Sequence, residues 1–171
     1  MRSQPLLVWP GQGAPRPFAV GLNGLELSAD GETLYFNSFT GRHLYAISTD
    51  ALCDPAISNE ELARRIKLVG STGVAGHLSI DSDGRLYVMD MEQNAVFRRA
   101  PDGRVETIVA DPRLMWPDTL AIGPDEYLYV TSSQHDRRPQ FHDGEDLRER
   151  PFAVYRVFVG AGPVRPGRSD G

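Results

Sequence analysis

The sequence predicts an all-β fold, a β-propeller represented by about three four-stranded blades with one short helical insertion. Three observations predict it. One pattern is written three times: a short apolar segment, a turn carrying an aspartate, and a Leu-Tyr pair that opens the next strand. The pairs are Leu34-Tyr35, Leu86-Tyr87 and Leu128-Tyr129, and their turn aspartates Asp30, Asp83 and Asp125 are spaced by 53 and 42 residues. Repeats of roughly 40 to 50 residues with about four strands each are the signature of propeller blades. The second observation is turn chemistry, because Asp30-Gly31, Asp83-Gly84 and Asp102-Gly103 are dipeptides that tolerate positive φ between antiparallel strands. The third is that the segments after the turns are near-continuous apolar runs, as strands covered on both faces require.

Residues 1–17 are rich in Pro and Gly and read as a linker or the remnant of a preceding blade. Residues 18–159 carry the partial propeller, with Phe18 to Val20 leading into the first repeat. That repeat runs through Asn23-Gly-Leu-Glu-Leu-Ser, Leu34-Tyr-Phe and Leu44-Tyr-Ala-Ile. Its extra length, between Ser48 and Gly70, holds the insertion: Ser58 and Glu61 match a capping box, and Leu62, Ala63 and Ile66 follow at helical spacing. A helix of about two turns is not stable alone, so it is expected to pack on the outside of the blade. The second repeat is compact, with strands at Leu78 to Ile80, Leu86 to Val88, Ala95 to Phe97 and Val105 to Val109. The third has strands from Asp118 to Ile122, Leu128 to Val130 and Phe152 to Val157, interrupted by a polar loop from Ser132 to Arg150. Loops that long in a compact fold are usually functional or disordered. Residues 160–171, composed largely of Gly, Pro, Arg and Ser, read as a disordered tail.

Three blades do not close a ring, since propellers close with about four to eight. The chain is therefore expected to be part of a longer propeller, through a truncated reading frame, or to close the ring as a homodimer. Charge excludes one class of partner: Lys plus Arg is 18 against 23 Asp plus Glu, with no basic block, so nucleic acid is not expected. No run of about 20 apolar residues predicts a membrane span, and the first residues do not resemble a signal peptide. Cys53 is the single cysteine, which rules out an intrachain disulfide, and it is expected to be a semi-buried thiol beside the insertion.

In a propeller the residue that opens each innermost strand points toward the central channel. The repeat register puts Asn23, Gly76 and Asp118 at that position in successive blades, with Gly24, His77 and Thr119 next to them. Asn23 and Asp118 are candidate oxygen donors for a Ca²⁺-like cation, which takes several oxygens at once; they read equally well as turn-capping residues. His77 is a candidate base or ligand contact, or a hydrogen-bonded structural histidine. Trp116, just before Pro117-Asp118, is placed to roof the pocket and stack on a flat ligand, or to plug the space between blades. In the long loop, Gln134 is a candidate ligand contact, and His135, His142 and Asp143 are types that could gather a transition metal. A nucleophile elbow, a Walker loop and a zinc-type cysteine pair are all lacking.

With these residues in view, the chain resembles the major royal jelly protein and Yellow family, particularly its microbial members. The residues that carry the resemblance run from about Gly21 to Val159. They are Gly24-Leu-Glu-Leu-Ser-Ala-Asp-Gly, Arg42-His-Leu-Tyr, Ile80-Asp-Ser-Asp-Gly-Arg-Leu-Tyr, Asn94-Ala-Val-Phe-Arg, Asp111-Pro-Arg-Leu-Met-Trp-Pro-Asp-Thr-Leu and Ser133-Gln. The resemblance implies a six-bladed ring about twice this length, of which this chain is the C-terminal half, and an extracellular or periplasmic setting. It allows a small-ligand binder bordered by Asn23, His77, Trp116, Asp118 and Gln134, or a dopachrome-converting isomerase. A more distant similarity is to the regucalcin and gluconolactonase propellers, which are metal-dependent lactonases. Asn23-Gly24-Leu25 matches their pattern, but Gly76-His77 stands where their metal-binding Asp is expected.

Overall fold

A computed structural model describes residues 7–8 and 13–164. Strands β1 (Leu7–Val8) and β2 (Arg16–Pro17) pair in a small antiparallel ribbon. Of the linker or blade remnant expected over residues 1–17, residues 1–6 and 9–12 lie outside the described residues. Blade one is the antiparallel sheet of β3 (Leu22–Leu27), β4 (Thr33–Ser38), β5 (His43–Ser48) and β6 (Lys67–Ser71), in that order. Blade two is β7 (Leu78–Ile80), β8 (Leu86–Asp90), β9 (Ala95–Arg99) and β10 (Val105–Ala110). Blade three has three described strands instead of the expected four, β11 (Pro117–Ile122), β12 (Tyr127–Ser132) and β13 (Ala153–Phe158). The first strand of each blade is innermost: β7 touches β3 on one side and β11 on the other.

The turns explain the repeat. Gly31 and Gly84 occupy the same place in the inner hairpins of blades one and two, at φ of 77° and 75°. In blade three that place falls to Glu126, at φ 63°, so the left-handed turn is kept without glycine. Blade two adds an internal brace. The buried carboxylate of Asp81 accepts from the backbone N–H groups of Asp83 (3.0 Å) and Arg85 (2.9 Å), from Arg85 Nε (2.7 Å) and from the Tyr87 hydroxyl (2.8 Å). Burial pushes the Tyr87 hydroxyl up to about 12.

The core consists of the two interblade layers. Between blades one and two, Leu44, Ala75, Leu78, Ile80, Leu86 and Val88 pack with Tyr35 and Val69. Between blades two and three, Tyr87, Met89, Val96, Leu120, Leu128 and Val130 pack together, and Phe18 and Val20 join this layer from the leading segment. Asn37, fully buried on β4, ties blade one to the start of blade two through a bond from Nδ2 to the Ala75 carbonyl (2.6 Å). Its Oδ1 has no hydrogen-bond partner among the described residues and lies against Gly24, where a Cβ would collide with it. Gly24 is thus fixed by this close approach and not by its φ.

The insertion holds two short helices, not one. Helix α1 (Thr49–Cys53) follows β5 directly and buries Ala51, and α2 (Asn59–Arg65) buries no side chain. Ser58 caps α2 by accepting from the Glu61 N–H at 3.2 Å. The Glu61 carboxylate pairs forward with Arg65 at 3.0 Å, an i,i+4 contact, in place of the expected return to Ser58. Cys53 is exposed, contrary to the expected semi-buried thiol, because α1 turns only Ala51 inward.

The long loop is ordered by two 3₁₀ turns, His135–Arg137 and Pro139–Phe141. Residues 160–164, assigned above to the tail, lie against blade two: Ala161 is buried, Ser82 donates to the Gly162 carbonyl at 2.9 Å, and Pro163 bridges Asp81. The remainder of that tail lies outside the described residues. No helix among the described residues is long and apolar enough to cross a membrane.

Candidate functional site

The channel mouth is built from the starts of β3, β7 and β11. One backbone bond recurs in each blade: Phe39 N–H to the Gly21 carbonyl, Met91 N–H to Val74, and Ser133 N–H to Trp116, at 3.0, 3.0 and 3.2 Å. Two residues after each acceptor stand Asn23, Gly76 and Asp118, so the structure puts these three at one equivalent position. In blades one and three the register also slips there, between Leu22 and Gly24 and between Pro117 and Leu120. Such bulges re-aim side chains away from the regular pleat. Asn23 and Asp118 are both exposed as a result.

His77 sits half-buried between blades two and three. Its Nδ1 accepts the backbone N–H of Leu120 at 3.2 Å. That bond assigns the neutral ring's proton to Nε2, which is left as a donor. Burial holds the His77 pKa below its ordinary value, with the Asp118 carboxylate pulling the other way. His135 is lowered for the same leading reason, assisted by Arg138 and opposed by Asp118 and Asp136. Asp118 is therefore within electrostatic reach of both imidazoles.

An aromatic layer lies beside these groups. Trp116, at φ 51°, is held between Phe39 (ring centroids 6.1 Å) and His135 (5.8 Å), and His135 also meets Phe141 at 5.6 Å. Trp116 thus joins blade one to the long loop, as the plug reading requires, while staying partly exposed. Gly76 closes the floor: a Cβ built there would meet Met91 Cε at 2.6 Å, Asn23 Nδ2 at 3.3 Å and Phe39 Cε2 at 3.4 Å.

Of the candidates, Asn23, His77, Trp116 and Asp118 are brought together, and Gln134 is not available to a ligand. Gln134 is buried, its Nε2 donates to the Glu149 carbonyl at 2.8 Å, and its Oε1 accepts the Glu149 N–H at 2.7 Å. It is a strut that closes the long loop. Phe39 and His135 are the mouth residues that sequence reasoning missed in this role. Phe39 was findable by counting register, since it stands at the position of Met91 and Ser133. His142 is tied inside the loop, its Nε2 2.9 Å from the Asp136 carbonyl.

The donor set does not fit a self-contained Ca²⁺ or transition-metal site. No group of three His, Cys, Asp or Glu capable of holding a metal occurs among the described residues. Asn23 and Asp118 offer two oxygen-bearing side chains, and the position between them is a glycine crowded by the Met91 methyl. A shallow pocket of about 470 Å³ opens beside Asp118, lined also by Thr119, Thr131, Ser133, Phe152 and Val154. A larger one, of about 590 Å³, lies far from these groups at the outer edge of blade one beneath the helices.

The profile of the major royal jelly protein family matches residues 12–157. The chain belongs to the major royal jelly protein family. Among solved structures, this family member is similar to a gluconolactonase from Xanthomonas campestris, at 19% identity and TM-score 0.60, over 86% of this chain and 46% of that one. It is also similar to a luciferin-regenerating enzyme, at 22% identity and TM-score 0.60, over 84% and 48%. A third is regucalcin, a calcium-binding protein from Agrobacterium tumefaciens, at 20% identity and TM-score 0.54, over 84% and 46%. At these identities the likeness shows the propeller fold alone. The royal-jelly-type chain spans about half the length of the structures it matches. A comparison with curated proteins gives no significant match.

Proposed function

We propose that this royal-jelly-type propeller binds a small organic ligand at the channel mouth. The observation that supports it is the meeting of His77, whose tautomer is set by Leu120, with the exposed Asp118 over the Phe39–Trp116–His135 layer. The arrangement offers one donor at His77 Nε2, one acceptor at Asp118 and the partly exposed rings of Trp116 and His135, a few polar groups beside aromatic side chains as in small-ligand sites. A ligand that suits it is planar and carries a hydrogen-bond donor next to an acceptor. A metal-dependent lactonase is less well supported, because Gly76 removes a charged ligand and the donors that remain are too few.

The test is a thermal-shift screen of small aromatic and heterocyclic compounds against the full chain, with affinities of the hits measured by calorimetry. Asp118→Asn and His77→Gln are each expected to weaken a true mouth ligand by about tenfold or more. Both variants should keep the wild-type circular dichroism. Hits whose affinity is unchanged in both variants would sink the reading.

A further inference from the structure

Equivalent residues of the three blades are in very different surroundings. Leu25, Leu78 and Leu120 share one register position on the inner strand, opposite Phe36, Val88 and Val130. Leu78 and Leu120 are 0% and 2% exposed because a preceding blade covers them, while Leu25 is 53% exposed. Beyond Leu25 the same row of blade one runs through Phe36 and Tyr45, which stack at 5.6 Å, to the exposed Leu68.

Among the described residues, the opposite end of the arc is bare in the complementary way. In blade two, Tyr87 and its cross-strand partner Arg98 face blade three, and Arg98 Nη1 donates to the Val159 carbonyl there at 3.3 Å. Tyr129 and Arg156 hold the same positions in blade three, with Val154 and Phe158 exposed on the same face. Arg156 lies over the Tyr127 ring at 4.4 Å. Aromatic and Arg side chains on an open face are the residues that interface cores use.

We propose that the occupant of both faces is a second copy of this chain, the blade-one face of each copy meeting the blade-three face of the other across a two-fold axis. The faces continue contacts already present: one has the character of the surface that blade two offers to blade three, the other of the surface that blade two offers to blade one. The chain covers 46% of a complete gluconolactonase-type propeller, so two copies supply nearly the full length of one ring. A two-fold pair closes such a contact, where an unclosed head-to-tail contact would run on into a filament. The second copy would also bring its own Asn23 and Asp118 to the shared mouth, which bears on the function proposed above without depending on it.

The experiment is light scattering on a size-exclusion column, on the full chain with no ligand added, with circular dichroism on the same peak. The expected mass is twice 18.9 kDa. Leu25 and the Arg156 side chain are 53% and 57% exposed among the described residues, and Arg156 meets its own sheet, at Tyr127 and Asp125, so Leu25→Asp and Arg156→Glu should both stay folded. Each is expected to weaken the dimer by about 100-fold. A wild-type mass of a single copy, a ladder of larger species, or dimers unaffected by both variants would each overturn the proposal. Because the mass is read without ligand, a dimer that takes up no ligand overturns the proposed function alone, and a single copy that binds overturns the ring alone.

Discussion

Blade two and blade one are built from the same pattern, yet one is a core and the other is half a surface. Ile80 and Leu27 occupy one register position and are 7% and 47% exposed. The difference lies in which neighbour each sheet has and not in its own residues. A blade is stabilised by the sheets on its two sides, so the same leucine contributes a full burial term in one blade and little in the next.

The largest test of this contrast is the pair Leu78→Ala and Leu25→Ala. Emptying the Leu78 site should cost about 3 to 4 kcal/mol, whereas Leu25→Ala should change the unimolecular stability by less than about 0.5 kcal/mol. Urea unfolding at a fixed, low protein concentration separates the two. Equal losses would mean that Leu25 is covered in solution.

A second pair sharpens the comparison in its polar part. Asp81 and Asp125 each accept a tyrosine hydroxyl, Asp81 from buried Tyr87 and Asp125 from Tyr129 at 2.7 Å on the open face. Asp81→Asn breaks a fully buried brace and should cost about 2 to 3 kcal/mol. Asp125→Asn should cost much less, because the carboxylate is exposed and water replaces the lost contact.

The blade boundaries were legible because the Asp-Gly turns and Leu-Tyr pairs state them outright, and Asn23, Gly76 and Asp118 could be aligned by counting from those turns. Blade three carries Glu126 at the positive-φ place, so its turn was found through the aspartate alone. Helix α1 was not legible: Thr49–Cys53 is too short to show a period and its N-terminal Ser48 makes no side-chain cap. The role of Gln134 was hidden for a different reason. A glutamine in a polar loop looks solvated, and only the fold brings Glu149 back to take both ends of its amide.

The mouth adds a pH dependence. His77 and His135 have folded pKa values below their ordinary one, so the unfolded chain binds protons more readily than the folded chain as pH falls through about 6.5. Stability should be full near neutrality and decline as acid charges the two rings against their burial. Melting temperatures between about pH 5 and 7.5 check the direction, and His77→Gln should flatten the slope. The smallest effect is expected at the insertion. Ser58→Ala should loosen α2 by about 1 kcal/mol, seen as faster amide exchange at Glu61, with global unfolding unchanged because α2 buries no side chain.

The segment from Val159 to Val164 ties the end of the arc to its middle. Val159 takes the Arg98 bond, Gly162 and Pro163 engage the Asp81-Ser82 turn, and Val164 packs on the layer between blades one and two. A hairpin turn in the middle of the chain is therefore finished by residues about 80 positions downstream. The strands of blade two pair among themselves, but its turn is latched only by residues that lie beyond blade three in the chain. The latch thus makes the middle blade, the best buried of the three, depend on residues that follow blade three.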